Sequence, residues 1–349
     1  MRLTLLFSLL IAALNLNGQS ENKGKFYLSG NTSFSYSTNF RNTFSQSAFE
    51  STHLGYFLTN RLMVGAEVLA GTDEDFYDDS PYIISPFIRY YLPVRLGGNT
   101  QLFAEGGFGT IGNFSFGSNF ETDYFLGLGA ERSFGDGVVG TARLRYKAKS
   151  LGLNFTELDL GLNFILGGKQ NWDGFAAREK GGLLIDPDLG RISFGHRSRD
   201  NFRDLRLDLN VGLGYFLTQN LLVEAGYTAE SIDVDRDGVG LQEINTRDWE
   251  VFAGLRYFVS GTGKRLQPYV LGRAGLAGTS LIIGDATFGQ QTTSDSFSYA
   301  EVGAGALYYL TKNVALDFSG RYQARFNTPA KNAERMTASA GLKVFLGNK

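Results

Sequence analysis

The sequence predicts an all-β protein built as a transmembrane antiparallel up-and-down β-barrel, and three observations carry this prediction. A hairpin-like segment, LGYFLTNRLMV at residues 54–64, returns as LGYFLTQNLLV at residues 213–223, 159 residues further along. Apolar and polar residues alternate over about ten or more positions, which exceeds the roughly 5–6 residues of most strands in soluble sheets. Short connections also alternate with longer, more polar ones, as they do in barrels that cross a membrane.

The N-terminus has the pattern of a secretory signal peptide. Met1 and Arg2 precede an apolar run over residues 3–14, which is followed by small and polar residues up to Gln19. The apolar run is too short for a membrane-spanning helix. We therefore expect cleavage near Gly18, so that residues 1–18 are a signal peptide and the mature chain is exported.

Composition excludes several classes of protein. The chain has no cysteine, so neither a disulfide framework nor a thiolate metal site nor a lipid-anchoring cysteine is expected. Its net charge of −2 lacks the excess of positive charge that is typical of nucleic-acid-binding proteins. The 45 glycines and 29 phenylalanines are typical of a protein with many short strands whose backbones approach one another closely.

Eight strands are predicted in each half of the chain. In the first half they fall near residues 25–37, 46–58, 61–71, 82–92, 100–111, 122–133, 138–148 and 154–166. In the second half they fall near residues 184–197, 203–217, 220–231, 247–259, 266–278, 296–309, 313–325 and 335–346. The first strand of the second half contains Pro187, which predicts an edge or a bulge there because proline cannot donate to a ladder.

The repeat predicts two tandem eight-stranded barrels, at residues 19–168 and 183–349. Residues 169–182 form a polar linker between them that is longer than any other connection on the short side. A single sixteen-stranded barrel is the alternative, because periodicity alone permits it. Eight is an even number, so both ends of each barrel lie on the short-turn side, which corresponds to the periplasm.

Alternation assigns a face to each residue of a strand. In the segment 205–215, odd positions are apolar and even positions are charged, asparagine or glycine. We expect Leu207, Leu209 and Val211 to face lipid, and Arg206, Asp208 and Asn210 to face the interior.

The predicted interior carries charges of both signs. The candidate interior residues are Glu67, Arg89, Glu105, Glu131, Arg143 and Arg145 in the first barrel, and Asp208, Glu224, Arg256, Arg273, Asp317 and Arg321 in the second. They could line a polar pathway for ions or small solutes. The favoured interpretation is that paired charges fill a narrow interior, because an eight-stranded barrel is just wide enough for side chains.

One acidic segment resembles the start of a calcium loop. Asp233, Asp235 and Asp237 are followed by Gly238 in the pattern D-x-D-x-D-G, but the twelfth position, where a calcium loop needs a bidentate glutamate, is Ile244. The strand pattern places this segment in an outer loop after the third strand of the second barrel. The pattern predicts a solvated acidic surface, with weak calcium binding as the alternative.

Enzyme chemistry has little support. The two histidines are His53 and His196, and Ser193 and Ser198 lie close to His196 in sequence. A lipid-acting enzyme of the membrane surface would need such a pair, yet a surface histidine is the favoured interpretation. No catalytic residue and no cofactor is predicted.

The repeated GYFLT hairpin, a strand ending in Arg-Tyr-Tyr/Phe, a Gly-x-Gly strand and the final alternating strand together resemble the porin-type, OmpA/OmpX-like outer-membrane β-barrel domain family. The resemblance covers nearly the whole mature chain, twice, although Leu346 to Lys349 replace the usual terminal aromatic. It implies insertion in the outer-membrane bilayer, assembly by the barrel-assembly machinery, and no nucleic-acid partner. A structural or surface-interaction role is favoured, with a porin-like channel and then a lipid-acting enzyme as alternatives; the extracellular ligand is unknown.

Overall fold

The fold is taken from a computed structural model, which describes residues 22–29, 34–39, 41–45, 52–70, 81–96, 99–113, 121–135, 137–149, 153–167, 178, 180–186, 188–197, 202–236, 242–259, 264–285, 289–327 and 334–346. These residues form β1 (Phe26–Ser29), β2 (Phe34–Asn39), β3 (Arg41–Ser45), β4 (Thr52–Phe57), β5 (Leu62–Ala70), β6 (Pro81–Arg95), β7 (Thr100–Asn113), β8 (Glu121–Gly135), β9 (Val138–Lys149), β10 (Leu153–Leu166), β11 (Leu183–Ile185), β12 (Asp188–Arg197), β13 (Phe202–Phe216), β14 (Leu221–Arg236), β15 (Gln242–Phe258), β16 (Leu266–Asp285), β17 (Gly289–Tyr309), β18 (Val314–Phe326) and β19 (Glu334–Leu346). No helix in the described part of the chain is both long and apolar enough to span a bilayer.

The first barrel is a closed ring of eight antiparallel strands, β1 and β4 to β10. Neighbouring strands pair in chain order from β4 to β10. The short strand β1 closes the ring, because it pairs with β10 on one side and with β4 on the other.

The second barrel repeats this plan with β11 and β13 to β19. Strands β13 to β19 pair in chain order. The three-residue strand β11 closes the ring between β13 and β19. The prediction of two eight-stranded antiparallel rings is therefore confirmed.

The two barrels also share strands at one end, which the sequence did not predict. The strand predicted at residues 184–197 is divided, so that β11 ends at Ile185 and β12 begins at Asp188, and Pro187 lies outside the described residues. Strand β12 then pairs with β10 of the first barrel and with β13 of the second. Strand β2 from the first half of the chain pairs with β19 of the second barrel. The barrels are thus separate rings at one end and joined at the other.

The end with separate rings is the one with short turns, called here the short-turn end. Three of its turns use the same threonine motif, in which the hydroxyl of Thr59, Thr218 or Thr311 accepts hydrogen bonds from the backbone N–H groups two and three residues later. Such side-chain bonds fix a tight turn between two strands. The opposite end, called the long-connection end, carries the connections at residues 71–80, 114–120 and 237–241, which lie outside the described residues.

The predicted facing of β13 is confirmed where side chains are described. Leu207 and Leu209 are exposed on the outer face, and Val211 and Asn210 are partly buried. Further along the strand, Leu213 and Tyr215 are exposed. The exposed apolar side chains of β13 thus occupy alternate positions, as a lipid-facing surface requires.

A charge placed on this outer face should disrupt the barrel. We expect Leu209→Arg to lower the stability of the folded barrel by about 2–4 kcal/mol, because the arginine must enter hydrocarbon near the middle of its strand. Asn210→Arg is the matched control, since its side chain points to the charged interior. Unfolding by urea in lipid vesicles measures both, and equal stabilities would contradict the facing.

Candidate functional site

The floor of the first barrel is an aromatic cluster at the short-turn end. It consists of Tyr27, Phe57, Met63, Phe87, Tyr91, Phe103, Phe125 and Val139, all buried. Phe57 stacks on Tyr91 with ring centroids 5.6 Å apart, and Tyr91 contacts Phe103 at 5.9 Å. The cluster fills the interior where the ring is closed, so the first barrel has no open lumen at this level.

Glu131 lies directly against this floor. Its carboxylate accepts hydrogen bonds from Tyr27 Oη at 3.1 Å, Tyr91 Oη at 2.8 Å and Thr141 Oγ1 at 3.3 Å. Arg89 Nη1 donates to the same carboxylate at 2.6 Å. The charge of Glu131 is therefore both neutralised and hydrogen-bonded, which is what a buried carboxylate requires.

Arg89 links the floor to the charges above it. Its guanidinium is fully buried and also bonds Glu105, which is its cross-strand neighbour in β7, at 2.8 Å. The guanidinium carbon lies 4.1 Å from the ring centroid of Phe103, a cation–π contact. Arg89 is thus held by two carboxylates and an aromatic ring.

Above Glu105 the pairs continue along β9 and β10. Arg143 bonds Asp159 at 2.8 Å and approaches Glu105 at 3.4 Å. Arg145 bonds Glu67 at 2.8 Å and Glu157 at 3.0 Å. Lys147 completes the chain with contacts to the same two glutamates, at 3.1 and 3.3 Å.

This ion-pair chain fits only because glycine occupies the position between its members. Gly127 lies in register with both Glu105 and Arg145. A Cβ at Gly127 would come within 2.9 Å of Arg145 Cγ and 3.0 Å of Glu105 Cγ, closer than side chains tolerate. The glycine therefore provides the space that the charged side chains fill.

His53 belongs to the same chain of ion pairs. It is buried, and its Nε2 lies 3.1 Å from both Arg143 Nη1 and Arg145 Nη1, and 3.4 Å from Glu67. A ring nitrogen that faces two guanidinium groups accepts hydrogen bonds. His196 and Ser193 lie on β12, of which only the backbone is described, and Ser198 lies outside the described residues.

The second barrel has its own aromatic and aliphatic floor. The cluster consists of Leu184, Phe216, Leu222, Phe258, Tyr269, Leu271, Leu307, Tyr309, Ala315 and Phe345. Arg178, from the segment between the barrels, is buried against it with its guanidinium 4.5 Å from the ring centroid of Phe258. The floor of the second barrel is therefore closed in part by a residue that belongs to none of its strands.

Charges also fill the second interior above its floor. Glu224 bonds Arg256 at 3.0 Å and Arg273 at 2.5 Å. Asp317 accepts from Tyr269 Oη at 2.5 Å and lies 3.3 Å from Arg256. Glu301 lies 3.7 Å from Arg273 and 3.5 Å from Arg321.

The structure places every interior residue named from the sequence whose side chain is described inside its barrel, and brings them together in ion pairs. The side chain of Asp208 is not described. Sequence reasoning missed Lys147, Glu157 and Asp159, although they continue the alternation of β9 and β10. It also missed Glu301 and Arg178.

The predicted acidic loop is wrong in its placement. Asp233 and Asp235 lie within β14, paired with Asn245 and Arg203 of the neighbouring strands, because β14 runs to Arg236. Asp237 lies outside the described residues. Among the described residues, no three histidine, aspartate or glutamate side chains are grouped to hold a metal ion.

A third apolar cluster joins the two barrels side by side. Val138 and Phe164 come from the outer face of the first barrel, and Val314, Leu342 and Val344 from the outer face of the second. Phe164, Val314 and Val344 have no exposed surface. Residues that would face lipid in an isolated barrel are thus covered by the neighbouring one.

Comparison with known proteins agrees with this architecture. Residues 173–344 match the family model described as the outer membrane protein beta-barrel domain, which covers the second barrel. A curated relative is outer membrane porin F of Pseudomonas fluorescens, 27% identical over 155 residues that cover 44% of this chain and 45% of the relative. The aligned part is therefore less than half of that relative's length.

Two solved barrels each match about half of the chain. The N-terminal β-barrel domain of Pseudomonas aeruginosa OprF is 19% identical, covers 48% of this chain and 98% of its own, and has a TM-score of 0.26. Ail, the attachment invasion locus protein of Yersinia pestis, is 16% identical, covers 48% and 99%, and has a TM-score of 0.28.

Breaking the ion-pair chain should destabilise the first barrel strongly. We expect Arg145→Met to cost about 3–5 kcal/mol, because it leaves the carboxylates of Glu67 and Glu157 buried with one cation fewer. The double variant with Glu67→Gln should recover part of this loss. Arg132→Met, on an exposed residue, is the control, and urea unfolding that finds it as harmful as Arg145→Met would contradict the role of the chain.

Proposed function

We propose that the chain, whose residues 173–344 match the outer membrane protein beta-barrel domain, is an outer-membrane β-barrel protein of the OmpA/OmpX-like type. In this proposal it acts as a structural or surface-interaction protein through its long-connection end. The observation that carries the proposal is that both barrels are filled at the short-turn end. A continuous aqueous path would need an open lumen, which eight-stranded barrels generally lack.

The interior of the first barrel supports this proposal most directly. Arg89, Tyr91 and Phe103 are buried to within about 1% of their surface, and each contacts another of the three. Moving any one of them would separate a buried charge from its partners, which is costly. The first barrel therefore serves as a rigid support for what it presents outside the membrane.

A channel for small solutes is the second candidate, and Arg178 is the observation that favours it. Arg178 belongs to the segment between the barrels, so it could leave the floor of the second barrel without breaking a strand pair. Its removal would leave only the cluster around Phe258 and Tyr309 between the charged interior and the short-turn end. A lipid-acting enzyme has no comparable support among the described residues.

The proposal includes the partners implied by the location. The outer-membrane bilayer solvates the outer faces of both barrels, and the barrel-assembly machinery inserts the chain during biogenesis. The ligand or partner at the outer surface would meet the long-connection end of the barrels.

Conductance separates the two candidates. In planar bilayers we expect the full chain to show no steady conductance, since both floors are filled with side chains. Arg178→Ala tests whether the second floor is a gate, and Lys180→Ala, an exposed residue of the same segment, is its control. Steady conductance of the unmodified chain would overturn the closed-floor proposal and favour the channel.

Accessibility on intact cells tests which end faces outward. An epitope tag inserted between Asp75 and Phe76 should be accessible to antibody on intact cells, because residues 71–80 form a long connection. The same tag between Gly97 and Gly98, in a short turn, should be accessible only after the cells are opened. The reverse pattern would show that the long connections face the periplasm.

A further inference from the structure

The two barrels present an equivalent lysine at the short-turn end. Lys23 precedes Gly24 at the start of the first barrel, and Lys180 precedes Gly181 at the start of the second. Each glycine has a positive φ, 81° and 88°, and donates its N–H at 2.9 Å to the carbonyl of the last residue of the neighbouring strand, β4 or β13. The sequence repeat therefore places a cation beside the same hairpin in both barrels.

These two lysines belong to a set of exposed cations at the short-turn end. The side chains of Lys23 and Lys180 are exposed, as are those of Lys264, Arg265 and Lys312 in the turns of the second barrel. Among the described residues, no carboxylate lies within ion-pair distance of Lys23, Lys180 or Lys264. The ammonium groups of these three lysines are therefore available to a partner.

Charge is distributed unequally over the connections between consecutive strands, from β4 to β10 and from β12 to β19. The connections at the short-turn end contain four cations and one acid, at residues 58–61, 96–99, 136–137, 217–220, 259–265 and 310–313. Those at the long-connection end contain two cations and seven acids, at residues 71–80, 114–120, 150–152, 198–201, 237–241, 286–288 and 327–333. The turns of the short-turn end are therefore positive, and the connections of the opposite end are negative.

Exposed aromatic side chains lie next to these cations, on the side of the membrane. In the first barrel, Tyr56 of β4 is exposed, and its ring centroid lies 5.2 Å from that of the exposed Phe26. In the second barrel, the exposed Tyr308 is the cross-strand partner of Leu266, which directly follows Arg265. Aromatic side chains on the outer face of a barrel mark the level of the lipid headgroups. The cations therefore lie at or just beyond this level.

We propose that this basic rim, formed by Lys23, Lys180, Lys264, Arg265 and Lys312, binds the phosphates of anionic phospholipid headgroups in the leaflet around the short-turn end. Long cationic side chains at this depth cover hydrocarbon with their stems and extend their charges to the headgroups. The neighbouring aromatic rings favour a lipid over a soluble acidic protein, because they hold the cations at the membrane surface. The inference goes beyond the proposed function, because it assigns a partner to the end that this function does not use.

Spin-labelled phospholipids test the proposal on the full chain folded in phosphatidylcholine vesicles. Electron paramagnetic resonance measures how much of each labelled lipid the protein immobilises, which gives the ratio of the association constants of phosphatidylglycerol and phosphatidylcholine. We expect a ratio of about two or more in low salt, because an attraction of roughly fivefold per nearby cation is averaged over all lipids around the barrels. The ratio should fall to about one in 1 M salt, where the Debye length is about 3 Å.

Variants assign the selectivity to the basic rim. Lys264→Gln should lower the ratio, and Lys23→Gln combined with Lys180→Gln should lower it further, because two of the cations are removed. Arg247→Gln is the matched control, since Arg247 is an exposed cation of β15 at the long-connection end. It should change the ratio less than Lys264→Gln does, because acids predominate at that end. Heat-modifiable migration in gels confirms that each variant is folded.

Three results would overturn the proposal. One is a ratio of about one for the unmodified chain in low salt, and binding of soluble poly-L-glutamate by that chain would then identify an acidic protein as the partner. Another is an unchanged ratio in the folded variant that lacks both Lys23 and Lys180. The third is an equal effect of Arg247→Gln and Lys264→Gln. These results depend neither on conductance nor on the epitope tags, so the proposed function can fail or hold independently.

Discussion

The structure depends on the pairing of charges inside barrels that are too narrow for bulk water. Arg89 and Arg145 have no exposed surface, and each is held by at least two carboxylates. An unpaired charge in such a place would cost more than a small barrel can tolerate. Gly127 follows from the same constraint, because the large charged side chains leave no space for another Cβ.

Contact between the barrels rests on a different force. In hydrocarbon, covering an apolar side chain with another apolar side chain gains little from the hydrophobic effect, so close packing must provide the attraction. The cluster of Val138, Phe164, Val314, Leu342 and Val344 meets this need with small branched side chains around one ring. These residues are indistinguishable in sequence from lipid-facing ones, because both kinds occupy the same face of a strand.

The structural features that the sequence predicts correctly are those that depend on residues close together in the chain. Alternation determines which face of β13 is apolar. The sequence predicts Asp233 and Asp235 in a loop, and this is wrong because the pairing of β14 with its neighbours continues through this polar segment. The acidic composition of the segment is also typical of a loop. The third threonine turn, at Thr311, repeats the Leu-Thr pattern of the other two and could have been found from the sequence. The pairing of β2 with β19 could not, since nothing local marks it.

That pairing has a consequence for how the molecule is made. Residues 34–38 and their partners at residues 336–340 lie far apart in the sequence. Contacts between residues so distant in sequence form slowly, because the chain must first lose the entropy of closing a very long loop. The long-connection end therefore cannot reach its final arrangement until the last strand has been synthesised and exported. The two barrels are built as one cooperative assembly, in which the last strand completes the surroundings of the first.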